Sequence, residues 1–204
     1  MKILDRDGII SAVILGFLIT YFGGFDYLFF MFLFLFLGVI VTRYEQQVKK
    51  DMGLYEYERG VENVLSNGLG PTLFAIFSPQ FGPIPFLASV AAVTSDTFAS
   101  EIGVLGKSDP IFLGNLKKAK PGTNGAVSSL GTVASAVGAM LIGAFGMFVF
   151  NLNAKQAFFI GLAGFIGSLV DTLVGILEER GIGTKGTTNF ICSITGGFLG
   201  LLIR

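Results

Sequence analysis

Histidine is missing from all 204 residues of the chain. Its absence removes imidazole as a general base near neutral pH, as a zinc ligand and as the relay of a serine-type triad. Cysteine occurs once, at Cys192, which excludes an internal disulfide and a cysteine-rich metal site; the apolar run around it suits helix packing. A charge imbalance is lacking too, because 14 basic and 14 acidic residues cancel and the pI is ≈ 6.2. A protein that neutralises phosphates along a nucleic-acid duplex needs a basic excess, so nucleic acid is excluded as a partner. Any anion must be held by a local cluster of charge.

Apolar residues are abundant instead. Hydrophobic types make up 52% of the chain, with 29 Gly, 22 Phe and a mean hydropathy of +0.73. That exceeds what a water-soluble core of this size can use, so lipid is part of the solvent. A membrane-crossing helix needs about 20 mostly apolar residues. The stretches 8–24, 25–42, 63–78, 83–100, 125–150, 155–177 and 188–203 approach that length. The expected fold is therefore all-α: one polytopic transmembrane bundle of about seven helices, with 1–204 as a single domain. The first stretch follows Lys2 and Arg6 as a signal peptide would, but no small-x-small cleavage site follows and a second apolar span begins at once. Ser78, Pro79, Gly82, Pro83 and Pro85 interrupt 63–100, which leaves a re-entrant pair as the alternative to two crossings.

Charge supplies the orientation. With seven crossings and the N-terminus inside, the internal segments 1–7, 43–62, 101–124 and 178–187 hold 12 of the 14 basic residues, leaving only Lys155 and Arg204 outside. The positive-inside rule favours that arrangement, because one helix more or fewer would scatter the charges over both faces. The expected location is the cell membrane, multi-pass, with the N-terminus and the polar motifs cytoplasmic. The Phe- and Leu-rich second helix reads, with the first, as a lipid-facing wall.

A short duplication is visible. Asp96-Thr97 precedes Gly122-Thr-Asn-Gly-Ala-Val-Ser-Ser, and Asp171-Thr172 precedes Gly186-Thr-Thr-Asn-Phe-Ile-Cys-Ser. Helices 4–5 and 6–7 would then form a parallel internal repeat about an axis along the membrane normal. Chance similarity in sequence rich in Gly, Thr and Ser is the rival explanation.

The polar residues concentrate at the internal helix ends. Asp96 and Ser100, like Thr97 and Glu101, are four apart and so neighbours on one helix surface. Asp171 lies within an apolar helix, about two turns before Glu178. A carboxylate there costs roughly 2.5 to 3.5 kcal/mol on insertion scales, so it is usually kept for a cation, a proton or a partner charge. A structural ion pair is the plainer alternative. Lys107, Lys117, Lys118 and Lys120 flank the turn Pro121-Gly122-Thr123-Asn124-Gly125, which leads into Ser128 and Ser129. A Gly-rich turn at a helix N-terminus is a ready phosphate site, with ordinary capping as the alternative. Lys185 and Asn189 open the last helix in the same way, and Asn67 in the third helix either joins helices or meets a ligand. Gly106-Lys107-Ser108 is not a P-loop, because Glu101 stands where its first glycine belongs and no strand precedes it. Carboxylates able to hold Mg²⁺, lysines and glycine turns on one face are what phosphoryl or nucleotidyl transfer needs. A phosphate-monoester acceptor is already ionised near neutral pH, so the lack of histidine is no handicap.

Ser95-Asp-Thr-Phe-Ala-Ser-Glu-Ile-Gly103 with Lys107 and Pro110, then Pro121-Gly-Thr-Asn-Gly-Ala-Val-Ser128 and Gly131, resembles the DUF92/TMEM19 family of membrane proteins. Asn67-Gly68 and Gly167-Ser-Leu-Val-Asp-Thr-Leu-Val-Gly175 follow the same pattern, so the resemblance covers most of the chain. Phe98 stands where that family commonly has Trp, and Ala126 where a second loop glycine is frequent. The plant branch of the family converts phytyl phosphate to its diphosphate, and lipid kinases and cytidylyltransferases that use CTP are more distantly similar. The resemblance thus implies a membrane enzyme acting on an isoprenoid phosphate, with Mg²⁺ and a nucleoside triphosphate, CTP being one candidate.

The roles expected on these grounds are as follows. Asp96, Asp171 and Glu101 carry the metal and, with Lys107, form the catalytic set. Asn67, Thr97, Ser100, Lys117, Lys118, Lys120, Gly122, Thr123, Asn124, Gly125, Ser128, Ser129, Lys185 and Asn189 bind nucleotide or phosphate. The lipid partner is an isoprenoid phosphate within the membrane, and self-association is left open. A CTP-dependent cytidylyltransferase and a lipid or ion transporter are the alternatives.

Overall fold

The computed structural model describes residues 4–55 and 60–203; Lys2, Arg59 and Arg204 of the charge distribution lie outside the described residues. In chain order the helices are α1 (Arg6–Gly23), α2 (Phe25–Arg43), the short α3 (Gln46–Asp51), α4 (Val61–Ile76), the single turn α5 (Ser78–Phe81) and α6 (Ile84–Gly103). Three two-residue strands follow, β1 (Ile111–Phe112), β2 (Lys117–Lys118) and β3 (Ala126–Val127), and then α7 (Ser129–Val149), α8 (Ala154–Glu178) and α9 (Lys185–Gly200). Each of the seven predicted stretches overlaps one of the longer helices, with ends displaced by up to four residues. Side-chain caps explain several starts: Asp5 accepts from Gly8 N at 2.6 Å, Ser128 from Gly131 N and Thr184 from Thr187 N, while Asn153 and Gln156 form a capping box at α8.

By length and composition α1, α2, α7 and α8 are apolar enough to cross a membrane. The other long helices are not, and α6 shows why. It is buried without a break from Pro85 to Ser95 and packs against α2, α4, α7, α8 and α9. A helix whose neighbours are protein on every side has no lipid to satisfy and tolerates the Ser and Thr of Thr94-Ser95.

Contacts at the two ends show which helix ends lie together. At one end Thr184 donates to Glu62 at 2.9 Å, joining the starts of α9 and α4, and Ser128 donates to the carbonyl of Gly103 at 3.1 Å, joining α7 to the end of α6. At the other end Ser78 reaches the carbonyl of Phe22 at 3.4 Å, and Tyr27 lies 4.6 Å from Phe86 and 5.3 Å from Phe150 between ring centroids. Helices α4 and α6 therefore each run the length of the bundle, antiparallel about α5. Lys49, Lys107, Lys117, Lys118, Lys120, Arg180 and Lys185 all belong to the first end, whereas Lys155 begins α8 at the second.

Helices α6 and α8 run in the same direction, touch each other, and each pack on both α7 and α9. Small residues permit the approach: a Cβ on Gly164 would stand 2.7 Å from the backbone carbon of Ala91, one on Gly167 2.8 Å from the Cβ of Ala92, and one on Gly196 2.6 Å from the carbonyl oxygen of Ala88. The glycine content thus builds a tight seam around α6. The pairs α6–α7 and α8–α9 thus lie side by side. The short motifs are not equivalent: Gly122 sits in a turn before a strand, whereas Gly186 lies within α9.

Two expectations are corrected. The segment 111–127 is not a plain loop but a three-stranded sheet of order β2-β1-β3, antiparallel throughout, so the fold is helical with a small sheet added. Helix α7 begins at Ser129 and not at 125, because Ala126 and Val127 pair with Phe112 and Ile111 before the chain turns into the helix.

Candidate active site

A cavity of ≈ 290 Å³ opens at the end where α6 and α8 finish and α7 and α9 begin. Asp96 comes from α6, Asp171 and Glu178 from α8, and Lys185, Thr188 and Asn189 from the first turns of α9. Because α6 and α8 are parallel and closely packed, one carboxylate from each enters at about the same depth.

Asp96 and Asp171 lie near enough to interact strongly, and the charge of Lys185 acts on Asp96; Thr188, whose hydroxyl donates to the carbonyl of Lys185 at 3.0 Å, lines the same cavity. The Oδ1 atom of Asp171 is buried and has no hydrogen-bond partner among the described residues. Two carboxylates so placed repel each other unless a proton or a cation lies with them. Beneath them runs a chain of buried hydroxyls. Ser95 and Ser135 are 2.7 Å apart, and Ser135 donates to Ser168 at 3.3 Å; Ser135 and Ser168 reach the cavity wall.

Glu101 departs from the expected set. Its Oε2 pairs with Nζ of Lys49 at 2.8 Å and its Oε1 accepts from Thr42 at 2.8 Å. Lys49 has no exposed side-chain surface and also donates to the carbonyls of Val41 at 2.7 Å and Thr42 at 3.2 Å. Glu101 touches the cavity, yet both its oxygens are engaged away from the aspartates. Among the described residues no group of three or more acidic, His or Cys side chains is placed to hold a metal. A metal would rest on Asp96 and Asp171 with ligands from elsewhere, which suits Mg²⁺: it commonly takes one or two carboxylates plus substrate phosphates and water.

The glycine turn lies beside the aspartates but is occupied by its own packing. Asn124 donates from its backbone to Glu179 at 3.0 Å and from Nδ2 to Glu178 at 3.0 Å. Gly125 has φ +72°, and a Cβ there would stand 2.8 Å from the backbone nitrogen of Ile176. This glycine lets the turn sit directly on the end of α8, and the turn is separated from the start of α7 by β3. Gly122, Thr123, Asn124, Gly125 and Ser128 all line the cavity, Ser128 while capping α7.

The remaining expected residues divide. Ser100, Lys185 and Asn189 line the cavity. Lys107, Lys117, Lys118 and Lys120 are exposed and do not line it, and Lys118 pairs with Asp109 at 3.3 Å. Thr97 is buried and Ser129 exposed, both off the cavity wall. Asn67 is buried, bonds to the carbonyl of Asn63 at 2.9 Å and borders a separate apolar cavity between α1, α2 and α4. Sequence reasoning missed Ser135, Ser168 and Thr172 on the wall, and Lys49 behind it, whereas Thr188 belongs to the helix start already marked by Lys185 and Asn189. Thr172, adjacent to Asp171, and Ser168, one turn before it, were the signals available.

Comparison with known families matches residues 1–196 to the family described as integral membrane protein DUF92. An uncharacterized membrane protein of Methanocaldococcus jannaschii is 41% identical over 206 residues, covering 99% of this chain and 86% of that protein. One from Synechocystis is 32% identical over 151 residues, covering 69% of this chain and 58% of its own length. The chloroplastic protein VTE6 of Arabidopsis thaliana is 25% identical over 181 residues, covering 82% of this chain and 54% of that protein. No solved structure matches. A helical bundle with span-length apolar helices and a match along nearly its full length lead to one conclusion: the chain belongs to the DUF92 family of integral membrane proteins.

Proposed function

We propose that the protein is a prenyl-phosphate kinase, which moves the terminal phosphoryl group of a nucleoside triphosphate onto an isoprenoid monophosphate at the cytoplasmic face of the cell membrane. The single observation that carries the reading is the facing pair Asp96 and Asp171, with the orphaned Oδ1 of Asp171, in a cavity that also holds Lys185. Similarity to the plant branch of the family supports the substrate class.

Asp96 and Asp171 would hold Mg²⁺, which supplies neutralisation of phosphate charge. Lys185 provides a further positive charge at the cavity edge, beside the free N–H groups and positive dipole end of α9. Asn189 and Thr188 offer hydrogen bonds to phosphate oxygens. The acceptor needs no base: an ionised oxygen of the monophosphate forms the new bond to the terminal phosphorus, the bond from that phosphorus to its bridging oxygen breaks, and nucleoside diphosphate leaves.

Transport is the reading from another class, and the opposite end of the bundle speaks against it. Phe30, Phe86 and Phe150 pack there with Tyr27, and Phe30 and Phe86 are fully buried, so the polar lining does not continue through the bundle. Incubating the purified protein in bilayer discs with Mg²⁺, geranylgeranyl monophosphate and nucleotides labelled at the α or γ position separates the remaining readings. Label from the γ position in the lipid is the expected result. Label from the α position means nucleotidyl transfer, and no transfer with any of the four nucleotides and several prenyl phosphates defeats both.

A further inference from the structure

The residues Leu113-Gly114-Asn115-Leu116 connect β1 to β2, where Phe112 lies opposite Lys117 in the ladder. Leu116 closes this turn: its N–H donates to the carbonyl of Phe112 at 2.8 Å, and its φ is +56°. A residue in that left-handed region is ordinarily Gly or Asn, because the Cβ of an L residue crowds its own backbone there. Leucine costs the turn conformational energy and adds little packing, since it is 74% exposed. An exposed leucine alone would mean little. One held at positive φ on the tip of a hairpin has a partner outside the chain.

The level of the turn along the bundle identifies that partner. A Cβ on Gly114 would stand 3.1 Å from Cγ2 of Ile176, so the turn rests against the last turns of α8. Lys155 begins α8 at the other end, and at about 1.5 Å per residue Ile176 lies about 32 Å from it. The hydrocarbon core of a bilayer is about 30 Å thick. The turn thus sits where α8 leaves the hydrocarbon, on a flank that protein does not cover, since Leu173 and Leu177 beside Ile176 are 55% and 41% exposed.

Charge agrees with that placement. Between residues 107 and 120, Lys107, Lys117, Lys118 and Lys120 stand against Asp109 alone. All four lysines are exposed, and the pair of Lys118 with Asp109 is itself solvated. An apolar tip flanked by lysines at the bilayer edge complements anionic lipid, the apolar residue entering the acyl boundary and the ammonium groups meeting phosphates.

We infer that the β1–β2 turn is a lipid-docking finger, with Leu116 seated in the acyl boundary and Lys117, Lys118 and Lys120 on the phosphates of anionic lipids. The inference is independent of the kinase reading. Because β3 pairs with β1 and follows the turn that walls the aspartate cavity, seating the finger holds that wall at headgroup depth.

The chain contains no Trp, so Leu116→Trp places a single tryptophan at the tip of the full-length protein. This variant is reconstituted in vesicles of phosphatidylcholine with or without phosphatidylglycerol, with bromine on the acyl chains near the headgroup. Blue-shifted emission, quenched more strongly by the brominated lipid when phosphatidylglycerol is present, is expected. Adding Lys117→Gln and Lys118→Gln should lower the ratio of seated to free tips by about fivefold per lysine. Leu116→Gly, followed by thermal unfolding in detergent, separates a lipid role from a folding one: with the positive φ relaxed it should unfold no lower than the wild type. Red-shifted emission without quenching, quenching that is equal in the two lipids or unchanged by the lysine substitutions, or a Leu116→Gly protein that unfolds lower would overturn the inference. Blue-shifted emission that the brominated lipid does not quench would overturn it too, by placing a second copy of the chain on the tip.

Discussion

Lys49 and Glu101 form an ion pair of 2.8 Å in which the lysine side chain has no exposed surface and the glutamate side chain is 19% exposed. The pair ties α3, which follows α2, to the end of α6. Two carbonyls and the hydroxyl of Thr42 complete the hydrogen bonding. The turn after α3 then delivers Gly53 and Leu54 to the cavity wall, where Leu54 packs over Gly122. Lys49 therefore positions one rim of the site without touching it.

Breaking this pair from one side leaves a buried charge uncompensated. Lys49→Met is expected to destabilise the folded protein by about 3 to 5 kcal/mol. The double variant Lys49→Met/Glu101→Leu should recover much of that loss, since apolar replacements of both partners avoid the stranded charge. Thermal unfolding in detergent measures both. A double variant no more stable than the single one would show that Glu101 is not held by Lys49 in the way described.

Asp96→Asn and Asp171→Asn should each lower the rate of phosphoryl transfer by at least about a hundredfold. Each removes one of two carboxylates that repel across the cavity, so neither should lower the unfolding temperature. Chelation of divalent cations should abolish wild-type transfer reversibly. A folded Asp171→Asn protein with full activity would exclude the metal role.

Lysines at the same end of the bundle should behave differently. Lys185→Gln is expected to raise the KM for nucleotide, as Lys185 lines the cavity at the start of α9. Lys117→Ala and Lys118→Ala lie on exposed strand positions, where substitutions usually change stability by less than about 0.5 kcal/mol and here should leave KM unchanged. Steady-state kinetics on the three variants decides it; an equal effect at Lys118 and Lys185 would place the nucleotide over β2.

Gly125→Ala should destabilise by more than about 1 kcal/mol, because it adds a Cβ at positive φ and drives it into the backbone of α8. Asn124→Ala, which frees Glu178 while keeping the backbone bond to Glu179, should lower activity while costing less stability. If Gly125→Ala unfolds at the wild-type temperature, the turn does not rest on α8 as described.

Local chemistry sufficed for much of this protein. Apolar runs marked the seven longer helices, because lipid or a protein interior must cover each of them, and one-sided basic residues marked the end that carries the site. Asp96 and Asp171 stood out because a carboxylate in an apolar helix is costly wherever it lies. Sequence alone did not reveal which acidic residues share a cavity. Asp96 and Glu101 are five residues apart on one helix, so they point in different directions, and only the packing of α8 on one side and α3 on the other assigned one to the site and one to Lys49. The same holds for Gly125, whose composition suggested a phosphate cradle and whose neighbour proved to be the backbone of Ile176. Burial cost and periodicity are properties of a segment and can be read along the chain; partnership between segments depends on which helices lie side by side, and that is decided only when the bundle closes.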